Sequence, residues 1–263
     1  MNGTKDALRD IYIAFLRHEL WMTLGWRDVL SRYRRSWLGS LWITLSMAIV
    51  AGVMGSLYSA IMQRPASEYI PYLTVGFIVW NMLSALITEG TQSFISNSAA
   101  IKEIPLPNSV YIFRLIWRNT LIFGHNVVVY LLLLLIFQIS PYPAVLLALP
   151  ALFLILLNGM WIGLLFGLIN ARFRDFSQLV NNSMRLLFFV TPIIWHADLV
   201  TGLRGAFVHL NPFYYLIEVL RLPMLGSFPS ARVWAVAIAI TVAGWVVTLP
   251  IYARWRRQIA YWV

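Results

Sequence analysis

The chain has 263 residues, of which 60% are hydrophobic and only 11% charged; its formal net charge is +10 and it holds no cysteine. Soluble domains carry roughly 25% charged residues, so this composition cannot cover a water-facing surface and specifies an integral membrane protein, with disulfides and thiolate metal sites excluded. Positive charge in so apolar a chain points to anionic lipid headgroups rather than to nucleic acid.

The first 35 residues are amphipathic and interrupted by charge, which predicts no signal peptide. On a helical wheel Trp26, Val29, Leu30, Tyr33 and Trp37 share one face, and Arg27, Asp28, Ser31, Arg32, Arg34 and Arg35 cover the other. That pattern predicts an interfacial helix lying along the cytoplasmic leaflet. A plain positive flank would hold the same charge, but it does not require so clean a segregation of faces.

Apolar runs near 20 residues then predict six spanning helices, at about 38–61, 70–91, 112–137, 144–169, 176–195 and 231–252. The third and fourth are joined only by the tight turn "QISPYP". Positive charge assigns the sides. Lys5, Arg9, Arg17, Arg27, Arg32, Arg34 and Arg35 precede the first span, Lys102 follows the second, Arg172 and Arg174 follow the fourth, and Arg254, Arg256 and Arg257 lie in the tail. The other side holds only Arg64, Arg204, Arg221 and Arg232. Both termini are therefore expected in the cytoplasm. The chain reads as one all-α transmembrane domain, with an interface region at 1–36, a six-span region at 38–252 and a cytoplasmic tail at 253–263.

Two connections depart from simple loops. "SFISNSAAIKEIPLPNSVY", residues 93–111, begins with helix-capping residues and closes on P-x-P. It predicts a short helix over 94–103, either a docking knob for a cytoplasmic partner or a solvated loop. Residues 196–230 are too long for a turn and too apolar for a solvated linker. Pro212 divides them into helical pieces near 198–209 and 212–222, neither long enough to cross a bilayer. They are either two half-helices re-entering the membrane, with Phe213, Tyr214 and Tyr215 bordering a pathway, or a lid lying flat on the outer surface. Re-entrant backbone is tolerated only against protein or a water-filled cavity.

Catalytic chemistry is hard to find. The only lysines, Lys5 and Lys102, follow no GxxxxG loop, so no Walker A phosphate cradle exists. Glu89 lies near the cytoplasmic end of the second span, and Arg114 and Arg118 stand one turn apart at the start of the third. A central charge costs about 2.5–3.5 kcal/mol on insertion scales, so these either form an intramembrane charge pair or the arginines snorkel to the headgroups. His125 and Asn126, deep in the third span, suit interhelical hydrogen bonds. His196 and His209 show no metal-ligand spacing. A membrane-embedded enzyme or ion-coupled carrier would require acids or ion ligands within the spans, which are lacking.

Several segments, taken in order, resemble one family. "WRDVLSRYRRSWLGSLW" is similar to a basic interfacial helix running into a first span, and "AAIKEIPLP" to a coupling helix with a proline-ended turn. "NARFRDFSQLV" resembles the family's FRD-containing turn, here Phe173, Arg174 and Asp175, and "TPIIW" and "NPFYYLIEVLR" its re-entrant region. The family is the membrane subunit of bacterial ABC exporters of lipid-linked polysaccharide: O-antigen, capsule and wall teichoic acid precursors. Glu103 departs from it, since basic residues are common there. The resemblance implies a homodimer in the bacterial inner membrane with two copies of a cytoplasmic ATPase that binds ATP and magnesium, leaving this chain without cofactor or metal. It implies a channel at the dimer interface for a glycan on undecaprenyl pyrophosphate, most plausibly O-antigen. ABC export of drugs or small lipids is the alternative. Ile101, Lys102, Glu103 and Ile104 would meet the ATPase, residues 213–215 would gate the outer mouth, and Arg27, Arg34 and Arg35 would hold pyrophosphate through the planar guanidinium fork.

Overall fold

In the computed structural model the described residues are 3–32, 34, 37–200 and 202–263, and among them helices account for all regular structure. In chain order these are α1 (Gly3–Leu16), α2 (His18–Arg32), α3 (Leu41–Ile61), α4 (Ala66–Ser96), α5 (Ser98–Glu103) and α6 (Ser109–Phe137). There follow α7 (Ala148–Arg172), α8 (Phe176–Val190), α9 (Gly202–Leu210), α10 (Pro212–Met224), α11 (Ala231–Trp255) and α12 (Ile259–Trp262). Five stretches, Leu41–Ile61, Ala66–Ser96, Ser109–Phe137, Ala144–Arg172 and Ala231–Trp262, are long and apolar enough to cross a membrane.

The fold is organised around α4. In its most apolar window 67% of residues are buried, against 22% in those of α3, α6 and α11. Those three helices turn most of their apolar surface outward, as lipid-facing helices do, whereas α4 is enclosed on several sides. Its closest partner is α7, and the reason is a stripe of glycines. Gly159, Gly163 and Gly167 recur every four residues on one face of α7, and a Cβ added at Gly90 of α4 would lie 3.1 Å from the Gly163 Cα. Lipid tails are as apolar as leucine, so helices in a bilayer associate through such close van der Waals approach. On the other side of α7, Trp161 lies flat over Gly244 of α11, so that any Cβ there would overlap the indole.

The chain ends are tied together at one end of the bundle, chiefly by one buried carboxylate, with Asp6 of α1 adding ion pairs to Arg256 and Arg257. Asp10 of α1, 7% exposed, accepts hydrogen bonds from the Ser109 backbone N–H at 3.3 Å, the Ser109 hydroxyl at 2.5 Å and the Tyr252 hydroxyl at 2.8 Å. The Arg256 guanidinium stands 3.4 Å from its other oxygen. One side chain thereby joins α1, the start of α6 and the end of α11. The same end carries α2, α5 and α12.

The N-terminal region is built differently from the single interfacial helix expected. Two helices, α1 and α2, lie against α6: Trp21 stacks on Phe113 with centroids 5.5 Å apart, and Trp117 edges against Trp21 at 6.2 Å. Packing divides the apolar face of the wheel. Val29 is buried, while Trp26 and Leu30 remain exposed. The helix stops at Arg32, so Trp37 is not on it, and Tyr33 and Arg35 lie outside the described residues. The short connecting helix is also shorter than expected: Asn97 ends α4, and α5 spans only Ser98–Glu103.

The fifth apolar segment, expected to span over 176–195, is helical only from Phe176 to Val190, 15 residues. Fifteen residues rise about 22 Å, short of the roughly 30 Å hydrocarbon core. The cause is Pro192: the residue before proline is driven out of the α region, and Thr191 sits at φ −85°, ψ 135°. Asn170 starts this helix by accepting the Ser177 N–H at 3.0 Å. Beyond it, α10 is buried along Tyr215–Arg221, packing on α4, α7 and α11, whereas α9 touches little besides α10 and the turn at Ala197–Leu199 and exposes Phe207 and Leu210.

The Trp161–Gly244 contact makes a sharp test. Gly244→Ala forces the indole aside and should destabilise the chain by about 1–3 kcal/mol. Gly52→Ala, where an added Cβ meets nothing within 4 Å, should be neutral or stabilising because alanine is the better helix former. Unfolding midpoints of the two variants in detergent micelles should move apart; equal midpoints would contradict the close packing.

Candidate functional site

Three cavities open along one side of α4. The first, about 380 Å³, lies between α3, α4 and α6 and holds Asn81, Glu89, Asn119 and Asn126. The second, about 410 Å³, lies nearer the end that carries the chain termini and is lined by Thr88, Glu89, Gln92, Tyr111, Arg118 and Asn181 among others. The third, about 390 Å³, runs between α4 and α8 past Trp80, Ser84, Arg185, Phe188 and Phe189. Glu89 lines the first two, and Thr88 and Asn181 line the second and third. They therefore form one groove. Its walls carry carboxamides, hydroxyls and guanidinium groups through the middle of a chain that is otherwise apolar.

An ion-pair network stands at the centre of this groove. Arg114 donates to both carboxylate oxygens of Asp28, at 2.8 and 2.5 Å, and to the Asn97 side-chain oxygen at 3.2 Å. Arg118 donates to Glu89 at 2.6 Å and lies 3.6 Å from Asp28. Asn119 also donates to Glu89, at 2.9 Å. Of the two arrangements open from sequence, the side chains adopt pairing, with Arg118 rather than Arg114 on Glu89. Asp28, placed by the wheel on the polar face of the interfacial helix, instead faces α6 and neutralises both arginines. Four elements meet here: α2, α4, α6 and, through Asn97, the start of α5.

Aromatic rings crowd the far part of the groove. Trp80 lies 5.7 Å from both Phe188 and Phe213, and Phe77 is 5.8 Å from Phe188. Of the three aromatics foreseen at the outer mouth, Phe213 joins this cluster. Tyr214 packs edge-on to His209 and Tyr215. Tyr215 is buried and donates its hydroxyl to the His209 carbonyl at 3.0 Å. Behind them is a second charge cluster. Arg221, read from sequence as one of the few charges on the outer side, is fully buried; it pairs with Glu218, donates to the Pro192 carbonyl at 2.9 Å and lies 4.0 Å from the Tyr72 ring centroid. His196 stacks on the same ring at 3.8 Å, and burial, reinforced by Arg64, lowers its pKa from the ordinary imidazole value.

The remaining expected residues are scattered. Arg27 and Arg34 are exposed, and Arg35 and the Arg204 side chain lie outside the described residues. Lys102 and Glu103 of α5 and Ile104, which caps it, are exposed, but Ile101 turns inward onto the cluster that includes Phe94 and Val263. His125 bonds the Leu121 carbonyl of its own helix at 2.8 Å. Asn126 keeps its carbonyl oxygen buried and unpartnered beside the first cavity. Sequence reading missed Asp28, Asn97, Asn119 and the Glu218–Arg221 pair. Only the last left a local signal: opposite charges three residues apart within "YYLIEVLRLPM". No group of three potential metal ligands occurs among the described residues.

Comparison with known proteins now adds to this geometry. The profile of the ABC-2 type transporter family matches residues 19–225. The chain is 23% identical over 192 residues to an O-antigen export system permease protein RfbA of Klebsiella pneumoniae, covering 73% of this chain and 74% of that protein. It is 25% identical over 201 residues to an O-antigen export system permease protein RfbA of Myxococcus xanthus, covering 75% and 77%.

The bidentate Arg114–Asp28 contact should be coupled energetically. Asp28→Ala, Arg114→Ala and the double variant form a cycle, and the coupling should be about 1–3 kcal/mol, read from unfolding titrations of the purified chain. A coupling near zero would mean that the network does not fasten α2 to α6.

Proposed function

This chain belongs to the ABC-2 type transporter family as a non-catalytic, multi-pass permease subunit, and from that premise we propose that two copies together form the channel of an ATP-driven exporter of lipid-linked polysaccharide. The observation that carries the reading is the row of adjoining polar cavities along α4. A lipid-facing helix has no use for Asn81, Ser84, Thr88, Glu89 and Gln92 on one side; a helix bordering a water-filled path does. Sugars offer hydroxyls to such groups and flat C–H faces to rings like Trp80 and Phe188. The likeness to O-antigen export permeases makes O-antigen on undecaprenyl pyrophosphate the favoured cargo, with capsule and teichoic acid precursors as cargo of the same kind.

The rest of the assembly follows. α8 with the bend after it serves as the sixth crossing, and α9 and α10 are re-entrant pieces at the outer mouth, with Phe213, Tyr214 and Tyr215 on the gating segment. Both termini, α2 and α5 occupy one end, which we assign to the cytoplasm of a bacterial inner membrane. Two copies of an ATPase, holding ATP and magnesium, dock there against α5. Lys102, Glu103 and Ile104 are the exposed contacts, and Ile101 supports them from within. Arg27, Arg34 and Arg35 lie at headgroup depth, where each basic residue gains about 1 kcal/mol from anionic lipid and can grip a pyrophosphate.

A second reading, export of a drug or small lipid, is favoured by one feature: an apolar cavity of about 330 Å³ lined by Trp161, Phe166, Phe176 and Leu216. Deleting the gene separates the two. Polysaccharide export predicts that lipid-linked glycan accumulates inside and disappears from the cell surface, with both restored by the wild-type chain. Surface glycan that persists in the deletion strain rejects it. In the same complementation, Arg34→Lys should insert and assemble yet lose much of the export, because lysine keeps the charge and loses the fork.

The docking role makes a separate prediction. Ile104→Asp places a charge at the exposed position that caps the end of α5 and should reduce co-purification of the ATPase and glycan export several-fold. Full export with normal ATPase recovery would move the docking site elsewhere.

A further inference from the structure

The second cavity of the groove differs from its neighbours in what it leaves unsatisfied. Tyr111 lines it and is 4% exposed, yet its hydroxyl has no hydrogen-bond partner; the Arg118 Nε is likewise buried without one. Elsewhere in the bundle buried tyrosine hydroxyls are paired: Tyr130 with the Met224 carbonyl, Tyr252 with Asp10 and Tyr215 with His209. A buried hydroxyl left unpaired is unfavourable in any protein, and in a lipid-embedded chain such a group persists where something polar comes to meet it. Leu115 is the single aliphatic residue of the lining.

The charges of this cavity are already matched. Arg114 is held by both Asp28 oxygens, and Arg118 by Glu89 with Asp28 behind it. An anion would have to displace one of these carboxylates. A neutral polyhydroxyl would not, since it can donate to the free lone pairs of Glu89 and, with a small shift of the cavity wall, accept from the buried Arg118 Nε and Tyr111 hydroxyl. The size also fits: about 410 Å³ lies within the roughly 300–1,000 Å³ of small-molecule sites, in the range for one or two sugar rings rather than a folded polymer.

From this we infer that the Tyr111–Arg118–Glu89 cavity is a binding subsite for a neutral sugar unit, recognised through its hydroxyls and separate from the basic residues that would hold a pyrophosphate. The inference rests on the export reading and deepens it. It also gives the subsite a route to the ATPase contact. Arg114 joins this cavity to Asn97, whose backbone carbonyl accepts the Ile101 N–H of α5 at 2.9 Å, so occupancy of the cavity bears on the helix that touches the partner.

The test uses the complete complex with its ATPase in nanodiscs. Two probes are titrated: undecaprenyl-pyrophosphate-linked glycan extracted from the host, and undecaprenyl pyrophosphate without sugar. Tyr111→Phe removes only the unpartnered hydroxyl. The half-saturating concentration of glycan for ATPase stimulation should rise about 3- to 10-fold, the loss of one hydrogen bond to a ligand. The response to sugar-free lipid should stay the same, and the glycan-free thermal midpoint should stay the same or rise. Gln92→Ala, on the same wall, should weaken glycan in the same direction. An unchanged half-saturating concentration in Tyr111→Phe overturns the subsite and leaves water as the occupant. An equal loss for both probes overturns it in favour of phosphate recognition. A wild-type complex indifferent to glycan but stimulated by other lipids rejects the export reading itself, and the subsite with it.

Discussion

A guanidinium inside a lipid-embedded bundle must bring its own counter-charge, and the fold is arranged around that requirement. Arg114 and Arg118 stand on α6 where snorkelling to the headgroups was one resolution. Instead Asp28 reaches them from α2 and Glu89 from α4. Two positive and two negative groups cancel, so the network carries no net charge into the bundle. Its partially exposed members are held by geometry as much as by Coulomb attraction, which water screens. What the network adds is position. It fixes α2 against α6 and sets a charged wall between the first two cavities.

Close packing elsewhere makes that groove affordable in volume. Glycines at 90, 159, 163 and 167 let α4 and α7 approach until their backbones nearly touch. The same close approach turns the opposite side of α4 away from α7, toward α3, α6 and α8, where the three cavities lie. Tight packing on one face and polar openness on the other are two consequences of one helix having small residues toward α7 and amides, hydroxyls and a carboxylate away from it. Substituting the glycines with larger residues would push α4 into the space the groove occupies.

Much of this was legible in the sequence because it depends on local pattern. Membrane class, the approximate positions of the long helices, the short helix before P-x-P and the broken segment around Pro212 all follow from hydropathy and proline chemistry. Glu89 and the two arginines were visible as charges near span ends. Their partner Asp28 was not, since the contact joins residues 86 positions apart and a wheel assigns a face without saying what packs against it. The end of α8 at Val190 turned on Pro192, whose effect on Thr191 is local and could have been applied to the apolar run. Ile101 was grouped with its neighbours as an ATPase contact because α5 is too short to show a periodicity; its packing toward the α12 region depends on tertiary structure.

The opposite end of the bundle repeats the logic of the Asp28–Arg114 network with a different result. Arg221 is again neutralised, by Glu218 three residues earlier on the same helix, but its second bond goes to the Pro192 carbonyl left free where α8 breaks. The Thr191 hydroxyl at that break accepts from Asn211 at 2.8 Å, at the junction of α9 and α10. The proline that stops α8 therefore creates the acceptor that anchors α10. With that anchor and its packing on α4, α7 and α11, α10 is held on several sides, whereas α9 rests on little more than α10 and the turn at Ala197–Leu199.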